Sequence, residues 1–278
     1  EITDQAPDVV IIATGGWPDA PDFEGAALTT SSWDVLSGTA RLSGEVMLFD
    51  ETGDHPALVC ADVLARLGCT VRHISPDRAT AHDLGPTNSA VVLRDLASQG
   101  VTFTCFQDIE KVAQLGNRKE VTLRHVLTGE TSVHVVDHVV IEHGITPMDA
   151  LYHDLKAHSC NLGQIDQDAM VAGQNPLKPT QAEGGFLLAR LGDAISGRNI
   201  HAALYDALRI CKDFLKSRGG VARGRIGRHI DVGGIAVNHL GDQAACFGAS
   251  RKANMLVAKA SVDACISEFS DQGQAIRR

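Results

Sequence analysis

The sequence has few aromatic residues and no long apolar run. Phe, Trp and Tyr make up 4% of its 278 residues, too few to suggest the stacking surface that binds single-stranded nucleic acids. No segment approaches the roughly 20 consecutive apolar residues of a membrane-spanning helix, and the N-terminus lacks the basic and apolar regions of a secretory signal. We therefore expect a cytoplasmic protein that does not contact a membrane.

The cysteines and charges exclude two further classes of function. The seven cysteines include no C-x-x-C pair, so no zinc or iron–sulfur site is predicted, and we expect reduced, mostly buried thiols. The net charge is −9, which disfavours nucleic acid as a partner. From residue 215 onwards, however, ten Lys and Arg residues face five Asp and Glu. The composition therefore changes near Phe214, and the two parts are considered separately.

Short apolar strands alternate with helical patterns before residue 215. Strands are predicted at residues 8–12, 45–49, 70–74, 101–105, 137–141 and 184–193, and a hairpin at 121–136 around the turn Leu127-Thr128-Gly129-Glu130. Helices are predicted at 57–67, where Val59, Val63 and Leu67 share one face, and at 89–99 and 199–214. This alternation predicts an α/β fold with a doubly wound, mostly parallel, Rossmann-like sheet.

Two of these strands end in residue types that bind cofactors in α/β proteins. One ends in Ala-Thr-Gly-Gly, where glycine lets the backbone approach a ligand closely. The other ends in Gly192-Asp193, whose carboxylate can accept hydrogen bonds from a ribityl or ribose hydroxyl. The helix that follows directs unpaired N–H groups towards the same place, which suits a pyrophosphate or a flavin edge. The candidate cofactor-binding residues are Ala13, Thr14, Gly15, Gly16, Gly192, Asp193, Asn199, Ile200 and His201. Taken alone, Gly-Asp is more typical of an ordinary turn and helix cap, but together with the Ala-Thr-Gly strand it favours a cofactor site.

The turn after the strand at residues 45–49 departs from the pattern of a pyridine-nucleotide site. Such a site needs G-x-G-x-x-G between strand and helix, so that the backbone can touch the pyrophosphate. Here the turn reads Asp50-Glu51-Thr52-Gly53-Asp54-His55-Pro56, with one glycine and three acidic residues. Because carboxylates repel a pyrophosphate, we do not expect NAD(P) to bind at this turn.

Together these motifs resemble the flavoproteins with two dinucleotide-binding domains related to glutathione reductase. Within that superfamily they resemble the C-terminal region of trimethylamine dehydrogenase and 2,4-dienoyl-CoA reductase, which are old yellow enzyme-type NADH:flavin oxidoreductases. Residues 49–55 and 192–207 look most like the N-methylproline and dimethylglycine demethylase branch. The resemblance implies a partial outer FAD- or ADP-type domain at 1–41 and 148–214, an inserted NAD(P)-type domain at 42–147, and an unassigned segment at 215–278.

The resemblance also implies cofactors and partners. FAD or ADP is expected at the outer domain. FMN and a 4Fe-4S cluster are expected only in an N-terminal flavin barrel, which would precede residue 1 together with the first glycine-rich turn. No catalytic residue and no metal ligand is identified, so we expect the isolated chain to be inactive. An electron-transfer flavoprotein is the expected protein partner, and the substrate, the electron acceptor and any homo-oligomer stay open.

The leading hypothesis for function is the nucleotide-binding and electron-transfer portion of a flavin-dependent oxidoreductase that demethylates N-methylated amines or amino acids. One alternative is an NADPH-dependent enzyme similar to 2,4-dienoyl-CoA reductase, and another is a non-catalytic scaffold that docks an electron-transfer partner. Residues 215–278 are interpreted as a read-through or frame-shifted extension or as an accessory segment, within which residues 255–269 could form one helix.

Overall fold

The computed structural model describes residues 2–216, 235–236 and 255–260. The chain forms two compact units, which are Glu1–Trp17 with Ile145–Arg278 (unit 1) and Pro18–Gly144 (unit 2). The boundaries of unit 2 therefore place residues 18–41 with the inserted segment, whereas the sequence interpretation placed them in the outer domain. None of the helices in the described ranges is long and apolar enough to cross a membrane.

The described strands and helices follow one another along the chain as listed here. The strands are β1 (Val9–Ala13), β2 (Gly16–Pro18), β3 (Thr30–Ser31), β4 (Glu45–Asp50), β5 (Thr70–Ile74), β6 (Thr102–Thr104), β7 (Gln107–Leu115), β8 (Arg118–His125), β9 (Thr131–Val136), β10 (His138–Glu142), β11 (Ile145–Pro147), β12 (Leu187–Arg190), β13 (Ile235–Ala236) and β14 (Met255–Ala260). The α-helices are α1 (Ser32–Leu36), α2 (His55–Arg66), α3 (Pro86–Ser98), α4 (Ala150–Leu155), α5 (Gln167–Val171) and α6 (Ile200–Lys216).

Unit 2 is built on a five-stranded parallel sheet in the order β3-β10-β4-β5-β6. Because successive strand residues point to opposite faces, each strand contributes to two cores. Val46 and Leu48 of β4 pack with apolar residues of α2 and α3. Met47 and Phe49 pack with residues of the antiparallel sheet β7-β8-β9. The sheet is thus covered by helices on one face and by a second sheet on the other.

Unit 1 contains a four-stranded sheet in the order β12-β1-β14-β13. β1 is parallel to both β12 and β14, and β13 is antiparallel to β14. Val10 and Ile12 of β1 pack on the face that carries α4, while Val9 and Ile11 pack on the face that carries α6. The Asn161 side chain pairs with the outer edge of β12, since its amide donates to the Leu188 carbonyl and accepts from the Leu188 N–H, both at 2.8 Å.

The α/β fold with parallel sheets is confirmed, and so is the helix predicted at 57–67. Its buried face is a different one, however. Val59 and Leu67 are 49% and 55% exposed, whereas Leu58, Ala61 and Leu64 are buried in the core of unit 2. Most residues of α2 are apolar, so the apolar spacing is compatible with more than one buried face. Contact with the sheet buries the face that contains Leu58, Ala61 and Leu64.

Two other sequence expectations differ from the structure. The helix predicted at 255–269 is wrong for Met255–Ala260, which form the strand β14 paired with β1, and residues 261–269 lie outside the described residues. A short apolar run suits a buried strand as well as a helix, and the open edge of β1 supplies the pairing partner. The strand expected at 184–193 spans only Leu187–Arg190, and it is followed by a turn that begins at Gly192, whose φ is +57°.

Candidate functional site

The two strand ends predicted to bind a cofactor meet at one edge of the unit 1 sheet. β1 and β12 are parallel, with Ile12 opposite Arg190, and the Leu191 N–H donates to the Ile12 carbonyl at 2.8 Å. Since both strands run in the same direction, their carboxyl ends lie side by side. The residues that follow them, Ala13 to Gly16 and Gly192 with Asp193, therefore share the edge at which open parallel sheets bind ligands.

The turn after β1 is held by hydrogen bonds to Met148, and one of its two glycines faces open space. Thr14 is buried and its hydroxyl donates to the Met148 carbonyl, while the Met148 N–H donates to the Gly15 carbonyl at 3.0 Å. Gly15 has φ of +78°, and a Cβ atom there would meet nothing within 4 Å. At Gly16, in contrast, a Cβ atom would overlap the Ile145 side chain. Gly16 therefore permits close packing, and Gly15 presents bare backbone to open space.

The turn after β12 places a carboxylate beside the start of α6. Gly192 is buried, and a Cβ atom there would lie 3.2 Å from the Ala203 Cβ. Asp193 is partly buried, and its Oδ1 accepts from the Arg198 N–H at 3.3 Å. Asn199 caps α6, since its Oδ1 accepts from the Ala202 N–H at 3.0 Å. This arrangement leaves the partly buried Asp193 carboxylate at the carboxyl edge of the sheet.

Ile200 and His201 lie on the first turn of α6 and are exposed. Ile200 belongs to an apolar stripe that also contains Leu204, Tyr205 and Leu208, each between 56% and 71% exposed. The prediction that Ile200 and His201 bind a cofactor is untested by this geometry, which shows only that both side chains are accessible.

Sequence reasoning missed Arg198, which links the turn to the helix. Its guanidinium donates to the Asp206 carboxylate and to the Gly192 carbonyl, the latter at 3.4 Å. Helical spacing could not indicate this pair, because Arg198 precedes the first residue of α6.

In unit 2, the turn after β4, where a pyridine-nucleotide site would hold a pyrophosphate, is filled by the carboxylate of Asp50, the last residue of β4. Asp50 is fully buried. Its Oδ1 accepts from the Thr52 N–H and hydroxyl, both at 3.0 Å, and from the Gly53 N–H at 2.9 Å. Its Oδ2 lies 3.1 Å from Nε2 of the buried His73. The backbone N–H groups of the turn thus already contact an anion.

The pKa values of two neighbouring carboxyl groups, Asp50 and Glu142, are shifted in opposite directions. Burial raises the pKa of Asp50, but hydrogen bonding and electrostatic attraction from His73, with the donors Gly53 and Thr52, outweigh it and lower the pKa overall. Glu142 lies opposite Asp50 in the sheet. Burial raises the pKa of Glu142, although Ser32 and the Gly144 N–H donate to its carboxylate, and the nearby Asp50 charge raises it further.

The start of α2 is also contacted by a carboxylate of the chain itself. The Asp54 carboxylate accepts from the His55 N–H at 2.7 Å. At Gly53, φ is +63° and a Cβ atom would overlap the His82 ring. The turn and helix start therefore provide acidic groups where a dinucleotide phosphate would need N–H donors. His73 and Glu142 were missed by sequence reasoning, although a polar residue inside or ending an apolar strand is a usable signal.

Comparison with known proteins identifies the family of the chain. A family model described as pyridine nucleotide-disulphide oxidoreductase matches residues 2–176. The chain is 42% identical over 210 residues to a probable N-methylproline demethylase of Rhizobium meliloti, covering 75% of this chain and 31% of that protein. It is 38% identical over 225 residues to an N,N-dimethylglycine/sarcosine dehydrogenase of Chromohalobacter salexigens, covering 77% of this chain and 32% of that protein.

The chain spans about a third of the length of these curated relatives. Among solved structures, it resembles histamine dehydrogenase from Rhizobium sp. 4-9 with a TM-score of 0.59 and 19% identity, covering 80% of this chain and 33% of that one. This last likeness concerns the fold alone. The family match confirms the predicted class of enzyme, an oxidoreductase, and supports a dinucleotide cofactor. The chain belongs to the pyridine nucleotide-disulphide oxidoreductase family.

Proposed function

We propose that this chain is the nucleotide-binding and electron-transfer portion of a flavin-dependent oxidoreductase that demethylates N-methylated amino acids or amines. One observation carries the proposal: Thr14-Gly15 and Gly192-Asp193 lie together at the carboxyl edge of the unit 1 sheet. The substrate class is suggested by similarity to a protein named as a probable N-methylproline demethylase. The likeness to trimethylamine dehydrogenase and 2,4-dienoyl-CoA reductase remains part of this proposal.

The residues of unit 1 fit FAD or ADP. Gly15 offers backbone with open space around it, and Asp193 offers a carboxylate oxygen to ribityl or ribose hydroxyl groups. The N-terminus of α6 favours a negatively charged group nearby. When bound, FAD would accept electrons and pass them on. The role of this chain would be to hold and orient the FAD. FMN and a 4Fe-4S cluster would belong to a flavin barrel outside this chain.

A half-built site explains the exposed apolar stripe on α6. The apolar stripe on α6 is unusual for a helix facing only water, because contiguous exposed apolar surface commonly marks an interface. Both edges of β1 are paired, with β12 on one side and β14 on the other. A further strand with a glycine-rich turn, added next to β1, would therefore displace β14. We propose that such a segment completes the site, with the chain alone binding FAD weakly.

The residues of unit 2 do not fit NAD(P) at the turn after β4, because Asp50 already occupies the N–H groups of Thr52 and Gly53. We therefore propose that electrons leave the flavin for a protein acceptor, such as an electron-transfer flavoprotein. This feature disfavours the alternative of an NADPH-dependent dienoyl-CoA reductase-like enzyme. The scaffold alternative differs in predicting no nucleotide binding at unit 1.

The test is isothermal titration with FAD of the chain extended by a strand, a G-x-G-x-x-G turn and a helix. We expect binding that Asp193→Asn weakens about tenfold, the usual effect of losing a hydrogen bond to a charged group. Asp154→Asn, an exposed residue of α4, serves as the matched control and should leave the affinity unchanged. Equal affinities in both variants would refute the role of Asp193, and no binding at all would favour the scaffold alternative.

A further inference from the structure

A cavity of about 330 Å³ lies within unit 1, beside the last residue of β12. Its size is at the lower end of small-molecule sites. Apolar side chains form part of the wall, and they are Ile165, Met170, Ile195, Ile210 and the ring of Tyr152. Three arginines form another part, namely Arg190, Arg198 and Arg209. The cavity thus combines an apolar wall with a concentration of positive charge.

The three guanidinium groups are held in place by neighbouring side chains. Arg190 donates to the Asp149 carboxylate, and its guanidinium lies 4.6 Å from the centre of the Tyr152 ring. Arg198 and Arg209 both donate to Asp206, the latter at 3.2 Å. Because the Asp206 side chain is only 5% exposed, the two arginines converge on a fixed point. Donors fixed in this way lose little conformational entropy when a ligand binds.

The charges and donors of the cavity are not balanced by the protein. Among the residues that line the cavity, three are arginines and one, Asp206, is acidic, while Asp149 pairs with Arg190 without lining it. The lining therefore carries more positive than negative charge. A guanidinium carries five N–H donors. Within residues 2–216, each of these arginines donates through a single terminal nitrogen, Nη1 in Arg190 and Nη2 in Arg198 and Arg209. The donor capacity that remains suits the paired oxygens of a carboxylate or phosphate.

We propose that this cavity binds a small organic anion, whose carboxylate or phosphate group contacts the arginines and whose short apolar body lies against Ile195 and Met170. The anion would neutralise the excess charge, and the apolar wall would exclude water from the contact, which strengthens it. The proposal rests on unit 1 alone, and its test requires neither flavin nor any residue outside this chain.

Isothermal titration of the 278-residue chain with 3-phenylpropionate and with phenyl phosphate tests the proposal. We expect at least one of them to bind with a Kd of about 1 mM or lower. The preferred anion then identifies the ligand class as carboxylate or phosphate ester. The uncharged 3-phenylpropanol should bind at least about tenfold more weakly, because it cannot accept charge-assisted hydrogen bonds.

Two variants assign the binding to this cavity. Arg209→Met removes one donor group but leaves Asp206 paired with Arg198, and it should weaken binding about tenfold. Ile195→Phe should abolish binding by filling the cavity. Arg124→Met is the matched control, since Arg124 pairs with Asp108 in unit 2 and its loss should not change the affinity.

Circular dichroism melting checks that each variant folds. If Arg209→Met does not fold, the affinity of Ile195→Phe tests whether the anion binds in this cavity. No saturable binding of either anion would overturn the proposal. So would equal binding of the alcohol, or equal affinity in the wild type and both cavity variants.

Discussion

Replacing Asp50 with Ala should destabilise unit 2 far more than replacing an exposed aspartate. The substitution leaves the N–H groups of Thr52 and Gly53 and the ring of His73 without the carboxylate that they contact at 2.9 to 3.1 Å. Asp50 and His73 are both fully buried, so water cannot readily replace the lost acceptor. Leaving a buried donor without its acceptor typically costs about 1 to 3 kcal/mol, and because several donors lose the same carboxylate, we expect a loss of about 3 to 5 kcal/mol.

Asp50→Asn provides an internal comparison. The amide oxygen can still accept from the Thr52 and Gly53 N–H groups, while the amide nitrogen replaces the oxygen that faces His73. We therefore expect Asn to cost roughly half as much free energy of unfolding as Ala. The matched control is Asp95→Ala, because the Asp95 side chain is 58% exposed and its ion pair with Arg94 lies at the surface. That loss should be below about 0.5 kcal/mol.

Urea unfolding followed by tryptophan fluorescence can isolate unit 2. The sequence contains two tryptophans, Trp17 in unit 1 and Trp33 in unit 2, so a Trp17→Phe background reports unit 2 alone. The lowered pKa of Asp50 sets the direction of the pH effect. Its stabilisation is present above the ordinary pKa of 3.8 and is lost as the pH falls through the folded value. A cost for Asp50→Ala no larger than that for Asp95→Ala would refute the reasoning.

Two further predictions concern unit 2 and use the same assay. Because burial raises the pKa of Glu142 above its ordinary 4.5, the contribution of Glu142 to stability is fully present below pH 4.5 and is lost as the pH rises through the folded value. Glu142→Gln should therefore flatten the fall in stability over this range, and an unchanged pH profile would contradict it. Gly25→Ala should cost at least about 2 kcal/mol, because Gly25 has φ of +84° and the added Cβ would overlap the Val112 carbonyl. Gly38→Ala, with φ of +77° and open space, should cost only about 1 kcal/mol of backbone strain, and equal losses would count against the close contact.

The features that follow from local pattern could be predicted from the sequence. β1 and β10 contain short runs of β-branched residues, and the hairpin strands β8 and β9 flank a glycine-containing turn. The edge that contains Gly15 and Gly192 also follows, since parallel strands place their carboxyl ends together. These properties depend on neighbours along the chain or on the direction of a strand.

The remaining features depend on contacts between distant residues. The pair of Asp50 and His73 joins β4 to β5, and nothing local indicates that this carboxylate turns inward to fill its own turn. The pairing of β14 with β1 was missed because its partner lies more than two hundred residues away. The arginine cavity likewise combines residues from a strand end, a turn and a helix, which no single spacing reveals.

The central claim is that unit 1 holds the nucleotide and that the turn after β4 in unit 2 does not. The measurement that tests it most directly is isothermal titration of the chain, with and without the upstream glycine-rich extension, with FAD, ADP and NADPH. We predict that FAD or ADP binds tightly only when the extension is present and that NADPH binds in neither case. Tight NADPH binding by the chain alone, lost when unit 2 is altered at Thr52 or Gly53, would contradict the account and favour an NADPH-dependent reductase.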